Sequence, residues 1–379
     1  MRTSTSRLHD ELDRLKATSN FRTFPSADAT DVIDLTSNDY LGLAARTDLR
    51  DEFADRYGNL RMPALTSSAS RLLASCQHEY HAFETLLAEC YGREALLLNS
   101  GYHANVGIIQ ALADKRTMIV ADRLVHASII DGIRLSGAQY TRFPHNDFNR
   151  LERIVADVQA DFDRILVIAE SVYSMDGDRA DIDRLIDLRR SDPRVMLYVD
   201  EAHGVGVEGP AGLGLVAASK APAEVDIVIG TLGKALASSG AFAIVDDTVK
   251  QYLVNKARSL IFSTALPPAC VAWSNFLFGK MMAMDAERDT LCRHARALAA
   301  AIAAATSREG IESHIQPLII GDAAATIARS RELLARGVKV LPIRTPTVPP
   351  GSERLRFSLS AGLTDADIAR VSGILTEQG

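Results

Sequence analysis

The chain has no CxxC pair. Its four cysteines, Cys76, Cys90, Cys270 and Cys292, are scattered along 379 residues, a spacing that supports neither a zinc site nor a disulfide framework. Reduced, buried thiols are the expectation instead, as is usual in a reducing compartment. Long apolar runs are missing too. The N-terminal stretch MRTSTSRLHDELDRLKATSN lacks the apolar core of a secretory signal, and nowhere do about 18 apolar residues follow one another. The longest candidate, ARALAAAIAAAT, is short and alanine-rich and reads as a buried helix. Nor is there an excess of positive charge. Lys and Arg number 42 against 48 Asp and Glu, a formal net charge of -6, which argues against nucleic acid or an anionic membrane as an obligatory partner. These absences together predict a cytoplasmic protein.

What is present is an ordinary globular composition, 47% hydrophobic and 24% charged, in a chain long enough for two or three domains. Leu8, Leu12 and Leu15 recur at helical spacing and predict an amphipathic N-terminal helix. From IDLTSNDYLGLA to about residue 275, short apolar runs alternate with helix-like stretches, the pattern of an α/β domain with a largely parallel sheet. Beyond that come two helical stretches, two strand-like runs flanking a Pro-rich loop, and a last helix, which predict a smaller α+β domain. The expected division is residues 1–45 as an N-terminal helix and arm, 46–275 as a large domain and 276–379 as a small one.

Three runs, RILVIAES, VMLYVDEAHG and DIVIGTLGK, each end abruptly in polar or small residues. Continuous apolar runs of that length fit strands buried on both faces. Ligand groups collect beyond the carboxyl ends of such strands, so Glu170, Asp200, His203 and Lys234 are expected around one site. Lys234 sits in GTLGKALASSG, among residues too small to fill space, and a lysine with room around it can anchor an aldehyde covalently. Pyridoxal phosphate (PLP) is the obvious aldehyde. It demands a buried carboxylate at its ring nitrogen, for which Asp200 is placed. It also demands a helix N-terminus and hydroxyls for its phosphate, offered by Ser100, Gly101 and Tyr102 in NSGYHAN and by Thr231, Ser263 and Thr264. His126 or Tyr102 supplies the flat group against its ring. Singly, each piece has a bland reading: a solvated lysine, an aspartate capping a helix, histidines satisfied in a core, and His78 and His81 marking only a helix face. The combination in this order is what carries the chemistry.

The segments DEAHGVGVEGPAGLG, TLGKALASSG, HASIIDG and ESVYSMDGD resemble those of the α-oxoamine synthases, PLP-dependent acyltransferases of fold type I, and the resemblance runs from about Leu8 to the C-terminus. It implies a large domain built on a mostly parallel seven-stranded sheet, a smaller α+β C-terminal domain, PLP as cofactor, no metal, and a homodimer with shared active sites. Members join an amino acid to an acyl thioester with loss of CO2. By this resemblance Lys234 anchors the cofactor and then acts as the base at Cα, and Asp200 pairs with the pyridine nitrogen. His203 and Ser174 serve the cofactor's 3' oxygen, and His126 stacks on the ring and orients the incoming thioester carbonyl. Gly101, Tyr102 and Thr231 hold phosphate, with Ser263 and Thr264 reaching it from a second subunit. Arg356, with Arg354 as rival, takes the amino-acid carboxylate in a bidentate pair. Arg22, Asn38 and Thr347 fall at substrate positions. The runs ADRLVHAS, FPHND, IQPLIIGD and IRTPTVPPGSERLRFSLSA resemble the branch that uses L-alanine and a pimeloyl thioester on the way to biotin. One stretch departs: TSSASR, residues 66–71, stands where the family has GSGGSR, and the added side chains narrow a loop near the acyl entrance and shift its backbone preferences. Glycine or serine with another acyl chain, an aminotransferase, and a non-catalytic PLP-binding protein are the alternatives.

Overall fold

The computed structural model describes residues 5–24, 32–75, 77–158, 160, 162–306 and 310–377; Cys76 lies outside them. Two compact units are present: a smaller one of Met1–Tyr40, Met175–Gly177 and Asp289–Gly379, and a larger one of Leu41–Ser174 and Asp178–Arg288.

Seven strands form the sheet of the larger unit: β1 (Glu94–Leu98), β2 (Thr117–Asp122), β3 (Gln139–Phe143), β4 (Arg164–Glu170), β5 (Val195–Asp200), β6 (Ile227–Thr231) and β7 (Ala241–Val245). Their order is β1-β7-β6-β5-β4-β2-β3. Only β7 runs against its neighbours; the others are parallel, as expected of fold type I. Strands β4 to β7 are buried along almost their whole length, which the apolar runs RILVIAES, VMLYVDEAHG and DIVIGTLGK anticipate for β4 to β6. Strand β3, QYTRF, is mostly exposed. It lies at the sheet edge and needs few apolar side chains.

Helices α1 (Gly101–Leu112) and α2 (Ala127–Ser136) lay Ile108, Ile109, Ile129 and Ile133 against Ile119, Leu166, Ile168 and Ile229 of the sheet. The two helices approach so closely that a Cβ at Gly132 would stand 2.8 Å from the Asn105 carbonyl oxygen. No other residue fits there without moving backbone, and this approach brings the polar residues Asn105 and Ser128 together. Because β2, β4, β5 and β6 are parallel, their last residues, Asp122, Glu170, Asp200 and Thr231, emerge at one edge of the sheet, with Glu170 directly beside Asp200 in the register.

In the smaller unit β8 (Ile315–Ile319), β9 (Leu341–Ile343) and β10 (Arg354–Ser358) make an antiparallel sheet in the order β9-β10-β8. Ile33–Asp34 pairs in parallel with Val338–Lys339. The N-terminal helix forms over Ser6–Ala17, but none of it is buried, and Leu8 and Leu12 face solvent. Among the described residues no helix is long and apolar enough to cross a membrane. The thiols are less buried than expected: Cys90 and Cys270 are half-buried and Cys292 is exposed. On the helix Asp285–Thr306 the buried stripe runs through Leu291, Ala295, Leu298 and Ile302, and Cys292 falls beside it.

A polar clamp secures the sheet edge next to the site. The Asp122 and Asp178 carboxylates bond the two ring nitrogens of His145 at 3.0 and 2.7 Å, Asn146 adds bonds to both aspartates, and the Tyr173 ring meets the imidazole edge-on. Burial alone would lower the His145 pKa, but the two carboxylates push it up to about 10. His145 therefore contributes stability that is present in full below about pH 6.5 and is lost as pH rises through about 10. His145→Ala, which leaves Asp122 buried without its imidazole partner, is expected to cost ~3 kcal/mol in denaturant unfolding at pH 7. A loss of only ~0.5 kcal/mol, the scale of a surface substitution, contradicts this reading.

Candidate active site

The loop after β6 turns back tightly into β7. Its backbone closes on itself through Ser238 N–H to Leu232 O and Leu232 N–H to Gly240 O, at 2.8 and 3.0 Å, with Ala237 and Gly240 at positive φ. Ala235 and Leu236 are buried, and Lys234 projects from this turn. Its Nζ lies 2.7 Å from His203 Nε2. His203 comes from the turn that follows β5, where Gly204 N–H donates to Glu201 O.

Asp200, at the end of β5, is 4% exposed. Both carboxylate oxygens are held: Ala202 N–H donates to Oδ1 and Asn105 Nδ2 to Oδ2, each at 2.8 Å. Beside it Glu170 accepts a hydrogen bond from the His126 backbone N–H. Burial, and then the charge of Asp200, push the Glu170 carboxyl up to about 8. At neutral pH it is an acid that keeps its proton. Burial also pushes the His126 imidazole below its ordinary value; Asp200 pulls the other way, and Lys234 adds to the lowering.

These groups line one cavity of about 160 Å³, into which α1 presents its N-terminal residues Gly101 and Tyr102. Ser100 caps that helix by accepting from His103 N–H. Thr231 lies beside Gly101, its hydroxyl at ordinary contact distance from where a Cβ would be. The cavity therefore holds a buried carboxylate, a lysine beside an imidazole, and a helix N-terminus with a hydroxyl. That donor set fits PLP: Asp200 for the ring nitrogen, Lys234 for the aldehyde, and Gly101, Tyr102 and Thr231 for the phosphate. Among the described residues no group of three His, Cys, Asp or Glu side chains is arranged to hold a metal.

Eight residues singled out in the sequence thus meet: Lys234, Asp200, Glu170, His203, His126, Gly101, Tyr102 and Thr231. Tyr102 is tied by its hydroxyl to Asp131. Ser174 is buried in the turn after β4 and is not among the lining residues. Ser263 and Thr264 also lie outside the lining, where Asn99 Nδ2 donates to Ser263 Oγ at 2.9 Å and Thr264 O at 2.6 Å. The smaller unit carries the remaining four. Arg22 donates to Thr347 Oγ1 at 3.1 Å, and Arg356, 3% exposed, donates to Asn38 Oδ1 at 3.1 Å. The rival Arg354 is engaged by the Asp176 carboxylate. Sequence reasoning missed Asn105 and Ser128, both buried and lining the cavity. The available signal was spacing: Asn105 stands four residues after Gly101, on the same helix face.

A profile described as aminotransferase class I and II matches residues 30–375. Curated proteins described as "Putative 8-amino-7-oxononanoate synthase" are similar throughout. The one from Pasteurella multocida is 47% identical over 97% of this chain and 97% of its own length, and one from Haemophilus influenzae is 42% identical over 94% and 97%. The chain belongs to the α-oxoamine synthases of the class I and II aminotransferase family. Its fold agrees with solved structures of such enzymes. A serine palmitoyltransferase from S. paucimobilis, solved with a PLP adduct of myriocin bound, superposes with a TM-score of 0.89 at 28% identity, covering 100% of this chain and 98% of that one. The 8-amino-7-oxononanoate synthase from Francisella tularensis gives 0.76 at 27% identity, covering 92% and 98%. The enzyme thus has the fold type I architecture expected from its sequence.

The raised Glu170 pKa has a consequence for stability. The carboxyl ionises near its ordinary 4.5 in the unfolded chain but near 8 in the fold, so its stabilising contribution is present in full below about pH 4.5 and is lost as pH rises through about 8. Glu170→Gln, neutral throughout, is expected to gain thermal stability relative to the parent enzyme steadily from about pH 5 to about pH 8. A difference that stays constant over that range would falsify the buried neutral acid.

Proposed function

We propose that the enzyme uses PLP to condense L-alanine with a pimeloyl thioester, releasing CO2 and a free thiol and forming 8-amino-7-oxononanoate, a step toward biotin. The observation that carries the chemistry is the Lys234 amine, 2.7 Å from His203 Nε2, in one cavity with the doubly bonded Asp200 carboxylate and the N-terminus of α1. The names of the relatives at 42–47% identity support the choice of substrates.

When bound, PLP supplies an aldehyde that holds the amino group and a ring that accepts the charge left at Cα. The residues do the rest. Asp200, oriented by its two N–H donors, would hold the proton on the ring nitrogen, and its buried position would strengthen that pairing. Lys234 would anchor the cofactor in the resting enzyme and would serve as the base at Cα, with His203 at its Nζ. His203 and Ser174 would bond the 3' oxygen or hold the residues that do, Ser174 from outside the cavity lining. Gly101, Tyr102 and Thr231 hold phosphate through the helix N-terminus, and Ser263 and Thr264 do so from a second subunit. His126 would lie against the ring and would steer the thioester carbonyl. Arg356 takes the amino-acid carboxylate, in preference to Arg354, which already has a carboxylate partner in Asp176. Arg22, Asn38 and Thr347 complete the substrate contacts.

A cytoplasmic homodimer is part of the proposal. Leu65, Leu72, Leu73 and Phe262 are all exposed by half or more, and the Ser70–Thr264 bridge links the two segments that carry them. Such a patch is unusual on a monomer. A second reading, another acyl donor with glycine or serine, is favoured by one feature: Ser68 of the TSSASR stretch stands at φ 51, a left-handed conformation that glycine adopts at less cost.

The test is CO2 and thiol release from the purified enzyme with L-alanine and pimeloyl-CoA, alongside glycine with acetyl-CoA and serine with palmitoyl-CoA. Turnover of the first pair well above the others is expected. Turnover confined to another pair would replace the substrates and keep the family chemistry.

A further inference from the structure

Asn105 and Ser128 belong to a hydrogen-bond chain whose direction is dictated by charge. Asp200 Oδ2 belongs to a carboxylate and can only accept, so the amide face of Asn105 that meets it, at 2.8 Å, must be the NH2. That orientation is reinforced from behind, where Tyr198 OH donates to Asn105 Oδ1 at 2.6 Å. The second amide hydrogen goes to Ser128 Oγ at 2.9 Å. Ser128, already accepting there, has its own hydroxyl hydrogen left to give, and the neighbour in reach is His126 Nδ1 at 2.7 Å. The Ser128 backbone N–H points at the same nitrogen, at 3.2 Å. Nδ1 is therefore the lone-pair nitrogen. It also caps the N-terminus of α2, where a positive charge is disfavoured.

We propose that Asn105 is a positioning residue which, through Ser128, fixes His126 as a neutral imidazole with its proton on Nε2, so that the cavity faces a hydrogen-bond donor rather than a base at that position. Asn105 and Ser128 are 2% and 0% exposed, so water does not substitute for either partner. The same amide that orients the Asp200 carboxylate thereby sets the tautomer of His126, which lines the same cavity. The consequence for turnover rests on the reaction proposed above: Nε2–H is the group that meets the carbonyl oxygen of the acyl donor, where charge builds up when the thioester is attacked.

The test reads the ring directly. Ring nitrogen NMR of the full-length, cofactor-loaded enzyme labelled with [15N]histidine, with His126→Asn to assign the signal, is expected to show protonated Nε2 and unprotonated Nδ1 at neutral pH. Ser128→Ala and Asn105→Leu should each give a mixture of tautomers. Ser128→Ala, which leaves the Asn105–Asp200 bond in place, should also lower kcat/KM for the acyl donor by about 10–100-fold, the scale seen when a group that orients a functional side chain is removed, with the KM for the amino acid little changed. A parent enzyme with Nδ1–H or a doubly protonated ring overturns the proposal. So does a tautomer unmoved in both variants. Failure of the proposed condensation would leave the ring signals as a separate and sufficient test.

Discussion

The site depends on one buried carboxylate whose two oxygens are both held by N–H donors. Asp200 lies at the end of a strand buried on both sides, with Glu170 in register beside it. Two carboxyls so placed cannot both ionise cheaply, and the structure decides between them. Asp200 receives two N–H donors, from Ala202 and Asn105, whereas Glu170 receives the single His126 N–H and stays protonated. One carboxyl thereby faces the cavity with both oxygens held by N–H donors, and its neighbour is a proton-bearing wall. The placement of Lys234, His203 and His126 around Asp200 gives the cavity its capacity for PLP chemistry.

The architecture makes this possible cheaply. Parallel strands deliver their final residues to one edge, so a functional residue at each strand end costs the sheet nothing in packing. That is why so much of the site was legible in the chain alone. The runs ending in Glu170, Asp200 and Thr231 announce buried strands, and Lys234 follows the last of them in a loop of small residues. What was not legible was the support behind these groups. Asn105 and Ser128 look like incidental polar residues in two helices. Their meeting depends on the close crossing of α1 and α2 at Gly132, a tertiary fact with no local signature. Strand β3 is equally silent as a sequence signal, because an edge strand can be polar. The partition of Met1–Tyr40 with Asp289–Gly379 likewise arises from contacts between chain ends, such as the pairing of Ile33–Asp34 with Val338–Lys339.

The stretch where this chain departs from its family also has a physical reading. Ser68 keeps a left-handed backbone without being glycine. Thr66 Oγ1 accepts from the Ser68 N–H at 3.1 Å, and Ser67 Oγ is anchored on Leu266 O at 2.6 Å. Local side-chain bonds of this kind offset the strain that a Cβ introduces. The loop is thus stiffer than a glycine-rich one, and it holds the segment carrying Ser263 and Thr264 through the bridge from Ser70.

The central claim, that Lys234 is the covalent anchor of the cofactor, is open to one direct measurement. Borohydride reduction of the PLP-loaded enzyme makes the link between cofactor and protein permanent, and peptide mapping by mass spectrometry then locates it. The account predicts a single modified peptide with the pyridoxyl group on Lys234. A modification on another lysine, or none in an enzyme shown to carry the cofactor, would contradict it.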